Sequence, residues 1–122
     1  MYKVSLDSDK LGKLGEDLAC KLVRDKGYEI IERNYSYKKG EIDIIAKDKE
    51  YLVFIEVKTR KNLEYGDPEY GVTKNKIKQI QKIATAYLYE KEINDVDIRF
   101  DVVAILIEGN NNPIINHIEN AF

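Results

Sequence analysis

The chain has 122 residues, 43% of them apolar and 34% charged, which suits one compact domain with a buried core and leaves no room for a second. Ten per cent aromatics and only two prolines argue against an unstructured tail, and the longest apolar run, six residues over 102–107, is far short of the ~20 that a membrane helix needs. A formal charge of −2 excludes a uniformly basic nucleic-acid binder.

Leu11, Leu14, Gly15, Leu18, Ala19, Leu22 and Val23 recur at helical spacing, and Gly27 stands where such a helix would stop. The pattern predicts a first helix over about 8–26, capped by Ser8 or Asp9, with Cys20 opposite the apolar stripe. Strands are predicted over 28–35, 41–47 and 51–58, joined by turns at Lys38-Lys39-Gly40 and Asp48-Lys49-Glu50 into an antiparallel meander. Residues 59–73 show no period and contain Gly66, Pro68 and Gly71, a long structureless loop for so small a domain. A second helix is predicted over 74–90, with Ile77, Ile80, Ile83, Ala84, Tyr87 and Leu88 on its buried stripe. The segment 98–107 is apolar on both faces and belongs inside a covered sheet, and after the turn at Asn110-Asn111-Asn112-Pro113 comes a short last strand over 114–118. The order is α-β-β-β-α-β plus a terminal strand: an α/β domain, 1–122, whose mixed sheet carries packed helices.

Two further features bear on location. The start, Met-Tyr-Lys-Val-Ser-Leu-Asp, lacks the apolar stretch of a secretory signal. The lone Cys20 makes neither an internal disulfide nor a thiolate zinc site, which suits a reducing compartment. A cytoplasmic protein with no membrane partner is the expectation.

Charge is unevenly spread along the chain. Residues 57–82 hold seven bases (Lys58, Arg60, Lys61, Lys74, Lys76, Lys78 and Lys82) against three acids, whereas 83–122 hold two bases against seven acids. Folded proteins meet phosphates through local patches, so the basic central segment keeps a nucleic-acid partner open.

The informative residues are charges on strands that should be buried. Along the third strand Leu52, Phe54, Glu56 and Lys58 share one face, with Lys58 roughly 7 Å beyond Glu56. On the second, Glu41, Asp43 and Ile45 face one way, and Ile42 and Ile44 the other. A buried carboxylate must be paired, hydrogen-bonded or bound to a cation. If the hairpin sets Asp43 beside Glu56, the two repel unless one is protonated or a cation lies between them, and Mg²⁺ suits oxygen ligands. A Glu56–Lys58 ion pair with Asp43 at a solvated edge satisfies the same pattern, and spacing does not choose. Glu16 flanks the first helix's apolar stripe, where Gly12 and Gly15 would let that helix approach the sheet and bring Glu16 toward Asp43. Asp101 reads as structural, paired with Arg99, and the single histidine, His117, as a packing or hydrogen-bonding residue.

Six blocks, Gly15-Glu16-x-x-Ala19, Gly40-Glu41-Ile42-Asp43, Phe54-Ile55-Glu56-Val57-Lys58-Thr59-Arg60, Val72-Thr73-x-x-Lys76, Arg99-Phe100-Asp101-Val102-Val103 and His117-Ile118-x-Asn120-Ala121-Phe122, resemble the YraN family of uncharacterised bacterial endonuclease-like proteins. The likeness runs from about Leu11 to Phe122 and leaves 1–10 as an N-terminal extension. That family is similar to the PD-(D/E)xK nuclease superfamily, nearest in layout to archaeal Holliday-junction resolvases. The resemblance implies a restriction-endonuclease-like core and a metal-dependent DNA endonuclease with Glu16, Asp43, Glu56 and Lys58 as catalytic residues. It implies that Glu16, Asp43, Glu56 and the Val57 carbonyl hold Mg²⁺ or Mn²⁺, and that Lys58 positions water or offsets charge on the phosphate. It makes branched DNA a candidate substrate and a homodimer a candidate assembly. Glu41 fits either a supporting partner of Asp43 or a surface acid. Lys76 is placed to reach a phosphate, and Arg60 with the row Lys74, Lys78 and Lys82 to grip the DNA backbone; lysines opposite an isoleucine stripe fit a solvated face equally. The competing expectation is a catalytically silent nuclease-fold module that binds nucleic acid or a protein.

Overall fold

The computed structural model describes residues 7–64, 66 and 72–122. Its elements, in chain order, are α1 (Ser8–Asp25), β1 (Glu29–Tyr37), β2 (Gly40–Asp48), β3 (Tyr51–Arg60), α2 (Lys74–Glu90), β4 (Asp97–Leu106) and β5 (Ile114–Ile118). They build the expected α/β domain around one five-stranded sheet of order β1-β2-β3-β4-β5. Only β3 and β4 run parallel, because α2 carries the chain back across the sheet between them. Of the loop predicted over 59–73, Thr59 and Arg60 extend β3; residues 65 and 67–71 lie outside the described residues, as do 1–6 of the N-terminal extension. No helix among the described residues is long and apolar enough to cross a membrane.

The cap of α1 is Asp7, not Ser8 or Asp9. Asp7 is extended, so its carboxylate turns back to accept the Lys10 N–H at 2.9 Å, while Ser8 and Asp9 already lie inside the first turn. Past the other end Gly27 takes φ +94°, and Tyr28 N–H bonds to the Val23 carbonyl as the chain enters β1. Both predicted hairpins form, Tyr37 pairing with Gly40 and Asp48 with Tyr51.

Each helix covers one face. Ala19, Cys20 and Val23 of α1 pack on Ile44, Val53, Ile55 and Val103; Ile80, Ile83, Ala84 and Tyr87 of α2 pack on Ile45, Phe54 and Phe100. The buried arc of α1 is rotated from the predicted stripe: Cys20 is 1% exposed in the core, and Leu14 is 38% exposed. The close approach occurs at Gly15 alone. A Cβ there would lie 1.9 Å from Thr59 Oγ1, whereas one at Gly12 would meet nothing within 4 Å. Contact at Gly15 turns α1 toward Cys20 and carries Glu16 over the sheet.

Gly15→Ala therefore pits two effects against each other. Helix propensity favours alanine by about 1 kcal/mol. The overlap involves a β-branched side chain whose Cβ and Cγ2 also lie at 3.0 and 3.1 Å, so no rotamer of Thr59 escapes it. Overpacking typically costs about 1–3 kcal/mol, and we expect the variant to melt several degrees lower. An unchanged or higher melting temperature would show that α1 slides freely on β3.

Strict alternation also fails once on β2. Ile42 joins Ile45 on the α2 side, while Ile44 and Ala46 face α1, so the sequence pairing of Ile42 with Ile44 is wrong. The slip falls at Asp43. Its neighbour across the β1–β2 ladder is Asn34, between the Arg33–Ile44 and Tyr35–Ile42 pairs, and Asn34 has φ +53°. A left-handed residue inside a strand locally breaks the two-residue period.

Candidate active site

The β2–β3 ladder runs from Asp48–Tyr51 to Ile44–Ile55. Beyond it Asp43 replaces a ladder bond with its side chain, Oδ2 accepting the Val57 N–H at 2.8 Å. This bond fixes the Asp43 carboxylate beside Glu56, and both residues are buried. Burial and the neighbouring Glu56 carboxyl raise the Asp43 pKa to about 8, against the opposing pull of the Val57 N–H and the Lys76 charge. Glu56 Oε2 is buried without a hydrogen-bond partner, and Lys76 Nζ stands 3.6 Å from it.

Glu16 reaches the same place from α1. One carboxylate oxygen from each of Glu16, Glu41 and Asp43 lies within 4.8 Å of the others. Burial, then the charges of Asp43 and Glu41, raise the Glu16 pKa, with Arg33 working in the opposite direction. Arg33 Nη2 sits 3.6 Å from Glu16 and 2.9 Å from Asp17, tying the middle of α1 to β1. Glu41 is exposed, an acid at the rim whose carboxylate lies within reach of Glu16 and Asp43.

The residues fit a hard divalent cation. The donors are all carboxylate oxygens, burial and then their mutual proximity raise the pKa values of Glu16 and Asp43, and one buried oxygen of Glu56 accepts no hydrogen bond among the described residues. The tight oxygen set is Glu16, Glu41 and Asp43, with Glu56 adjoining through Asp43. Val57 enters through its N–H, as the anchor of Asp43. Lys58, half-buried on the Glu56 face of β3, makes no hydrogen bond or ion pair with another described residue.

The other predicted bases separate. Lys76 is drawn into the acidic site, whereas Lys74, Lys78 and Lys82 are exposed along α2. Arg60, at the end of β3, is half-buried; its Nε has no partner among the described residues, and its carbonyl accepts the Ile107 N–H at 2.8 Å. Sequence reasoning missed Arg33. It stands on an edge strand with no spacing relation to Glu16, and only the fold joins them.

Comparison with known proteins adds the lineage. A model of "Uncharacterised protein family UPF0102" matches residues 15–105, a stretch holding every acid and base of this site. A UPF0102 protein of Geotalea daltonii is 47% identical over 116 residues, 95% of this chain and 91% of that one. One from Geobacter sulfurreducens is 49% identical over 92% of this chain and 88% of its own, and one from Rhodococcus opacus 45% over 92% and 95%.

Proposed function

We propose a function for this chain, which belongs to the uncharacterised protein family UPF0102 (the YraN group): hydrolysis of DNA phosphodiester bonds with a divalent cation. The observation that carries it is the Asp43–Glu56 contact, two buried carboxyls held together at a ladder end, with Glu56 Oε2 lacking a hydrogen bond among the described residues and facing only the Lys76 ammonium at 3.6 Å. A folded domain gains nothing in stability from such a pair by itself.

Glu16, Glu41, Asp43 and Glu56 would hold Mg²⁺ or Mn²⁺, which when bound would polarise a scissile phosphate and acidify a water. The chain's own residues set the geometry. Val57 N–H keeps the Asp43 carboxylate facing Glu56, and Arg33 restrains Glu16. Lys58 shares the Glu56 face, has no partner among the described residues and is free to meet the negative charge that grows on phosphate. Lys76, now beside Glu56, is placed to turn to a phosphate oxygen when DNA enters. Branched DNA, a homodimer and a cytoplasmic setting complete the reading, all three supported by the sequence resemblance and composition.

The Lys76–Glu56 pair also favours a second reading, a silent module that binds DNA without cutting it, because it offsets the Glu56 charge without a cation. One assay separates the two: cleavage of labelled linear, flapped and four-way-junction DNA with Mg²⁺ or Mn²⁺, using wild type, Glu56→Ala and Lys58→Ala. Catalysis predicts cation-dependent products reduced about 10²-fold or more in both variants. Products that persist in both variants would come from a contaminant. Salt-sensitive DNA retention with no products would establish the module instead.

A further inference from the structure

Beside the acids, the surface along α2 and the facing β1–β2 hairpin is hollowed in three adjoining places. One hollow, walled by Ser36, Lys38, Lys39, Lys76 and Gln79, begins at Glu41. The next follows α2 past Lys76, Lys78, Gln79 and Lys82. The largest, an open groove of about 830 Å³, lies between Tyr37, Lys38, Lys82, Ala86 and Tyr89. They share walls: Lys76 and Gln79 line the first two, Lys38 the first and third, and Lys82 the second and third. Side chains shared between neighbouring hollows therefore line the way from Glu41 to the tyrosines.

The hairpin lies hard against α2. A Cβ on Gly40 would come within 2.7 Å of both Gln79 Nε2 and Ile83 Cδ1, so the two walls are held at fixed spacing. The walls carry positive charge and aromatic rings. Tyr89 is 88% exposed and Tyr37 40%, while Tyr87 on the same helix is buried in the core. Lys38 Nζ sits 5.5 Å from the Tyr37 ring centre. The acid on this rim, Glu90, is engaged by the Tyr35 hydroxyl. Scattered exposed tyrosines are ordinary; two of them facing one lysine-walled groove that opens at a cluster of acids are a specific combination.

We propose that this groove receives an unpaired DNA strand leaving the acidic site, its phosphates on Lys38, Lys39, Lys78 and Lys82 and its bases against Tyr37 and Tyr89. In a duplex the base faces are stacked on one another, so only the lysines would find partners; an unpaired strand presents phosphates and base faces together. The preferred DNA then carries a single-stranded arm beside a duplex. The inference rests on the DNA part of the proposed function, and it stands whether or not the bound strand is cut.

The chain contains no tryptophan, so Tyr89→Trp introduces a lone reporter in the groove. This variant is titrated with blunt duplex and with the same duplex bearing a short single-stranded arm, in Ca²⁺ and again in EDTA. Binding is followed by anisotropy of the labelled DNA and stacking by tryptophan emission. Armed DNA is expected to bind about tenfold tighter than blunt and to quench the emission, which blunt DNA leaves unchanged. The double variant Tyr37→Ala/Tyr89→Ala is expected to bind both DNAs alike, at the blunt-duplex level. DNA binding without quenching, or an arm preference that survives the double variant, overturns the groove and leaves the cleavage reading intact. Failure to bind any DNA overturns both. Quenching by armed DNA in a protein that never cuts it upholds the groove and removes only the catalysis.

Discussion

Asp101→Asn is expected to destabilise the protein by about 3–5 kcal/mol, lowering its melting temperature by roughly 10–20 °C. Asp101 is fully buried and accepts four hydrogen bonds: from Arg99 Nε at 2.9 Å and Nη2 at 3.0 Å, from His117 Nε2 at 2.8 Å and from the Asn120 N–H at 3.0 Å. Burial alone would raise its pKa, but His117, Arg99 and the Asn120 N–H outweigh it and hold the carboxyl below the usual range. Asparagine keeps one oxygen and sets an NH₂ among donors that need acceptors. It also strips charge compensation from Arg99, which is itself buried and, among the described residues, retains only Asp48 at 2.9 Å as an acidic partner. The chain's last residues depend on the same hub. After Asn120, Ala121 N–H bonds to the Phe100 carbonyl at 2.7 Å and Phe122 stacks on Phe100 with ring centres 5.2 Å apart.

The pH dependence gives a second signature. A carboxyl whose folded pKa lies below its unfolded value stabilises the fold above the unfolded pKa and loses that contribution as pH falls through the folded one. Wild type should therefore lose stability below about pH 4 through this group. The asparagine variant, already weakened, lacks that component of the acid slope. Urea and thermal unfolding of both proteins from pH 3 to 7 test this. A loss under about 1 kcal/mol at neutral pH would mean that Arg99 and His117 find other acceptors, and that the tail does not depend on Asp101.

What could be read from the sequence divides along a physical line. The bounds of α2 and β5 come out as predicted, because an isoleucine stripe with a Thr73 cap, and a short strand after a proline turn, are local signals. The pairing of Asp101 with Arg99 was legible for a related reason: a charge inside an apolar strand needs a partner; His117, expected to pack or hydrogen-bond, hydrogen-bonds Asp101. Apart from the α1 cap, a local miss that fell on Asp7 rather than Ser8 or Asp9, the failures are non-local. Cys20 lies in the core because the approach of Gly15 to Thr59 rotates α1, and the partner that sets the rotation is 44 residues away. The partnership of Ile42 with Ile45 depends on Asn34 adopting a left-handed turn in a neighbouring strand. That slip matters for the site. Strict alternation set Asp43 on the face of Ile45, whereas the break lets its carboxylate reach across the ladder end to Val57 and lie near Glu16 as well as Glu56. The acidic residues were visible in the sequence; which of their oxygens cluster was not.

That clustering leads to the last expected result: without a divalent cation, Asp43→Asn should be more stable than wild type at pH 8. The Asp43 pKa is raised from 3.8 to about 8 by burial and by the Glu56 carboxyl. A raised folded pKa means that the native state holds its proton more tightly than the unfolded chain. The contribution is complete below the unfolded value and is lost as pH rises through the folded one, so metal-free wild type weakens between about pH 4 and pH 8. Asparagine removes the ionisation while its carbonyl oxygen still accepts the Val57 N–H, and its NH₂ turns a repulsive contact with Glu56 into a donating one. The gain is on the order of 1 kcal/mol or more, several degrees in melting temperature. A bound cation relieves the same repulsion in wild type. Mg²⁺ or Mn²⁺ at about a hundred times its dissociation constant would add about 2.7 kcal/mol to wild type, and far less to the variant, which has lost a ligand charge. Melting curves of both proteins at pH 5 and pH 8, with EDTA and with each cation, separate the terms. If the variant is the less stable protein in EDTA at pH 8, the Asp43 carboxylate is stabilising as it stands. If neither cation raises the wild-type melting temperature, these four acids do not form a metal site, and the binding module becomes the better account of the fold.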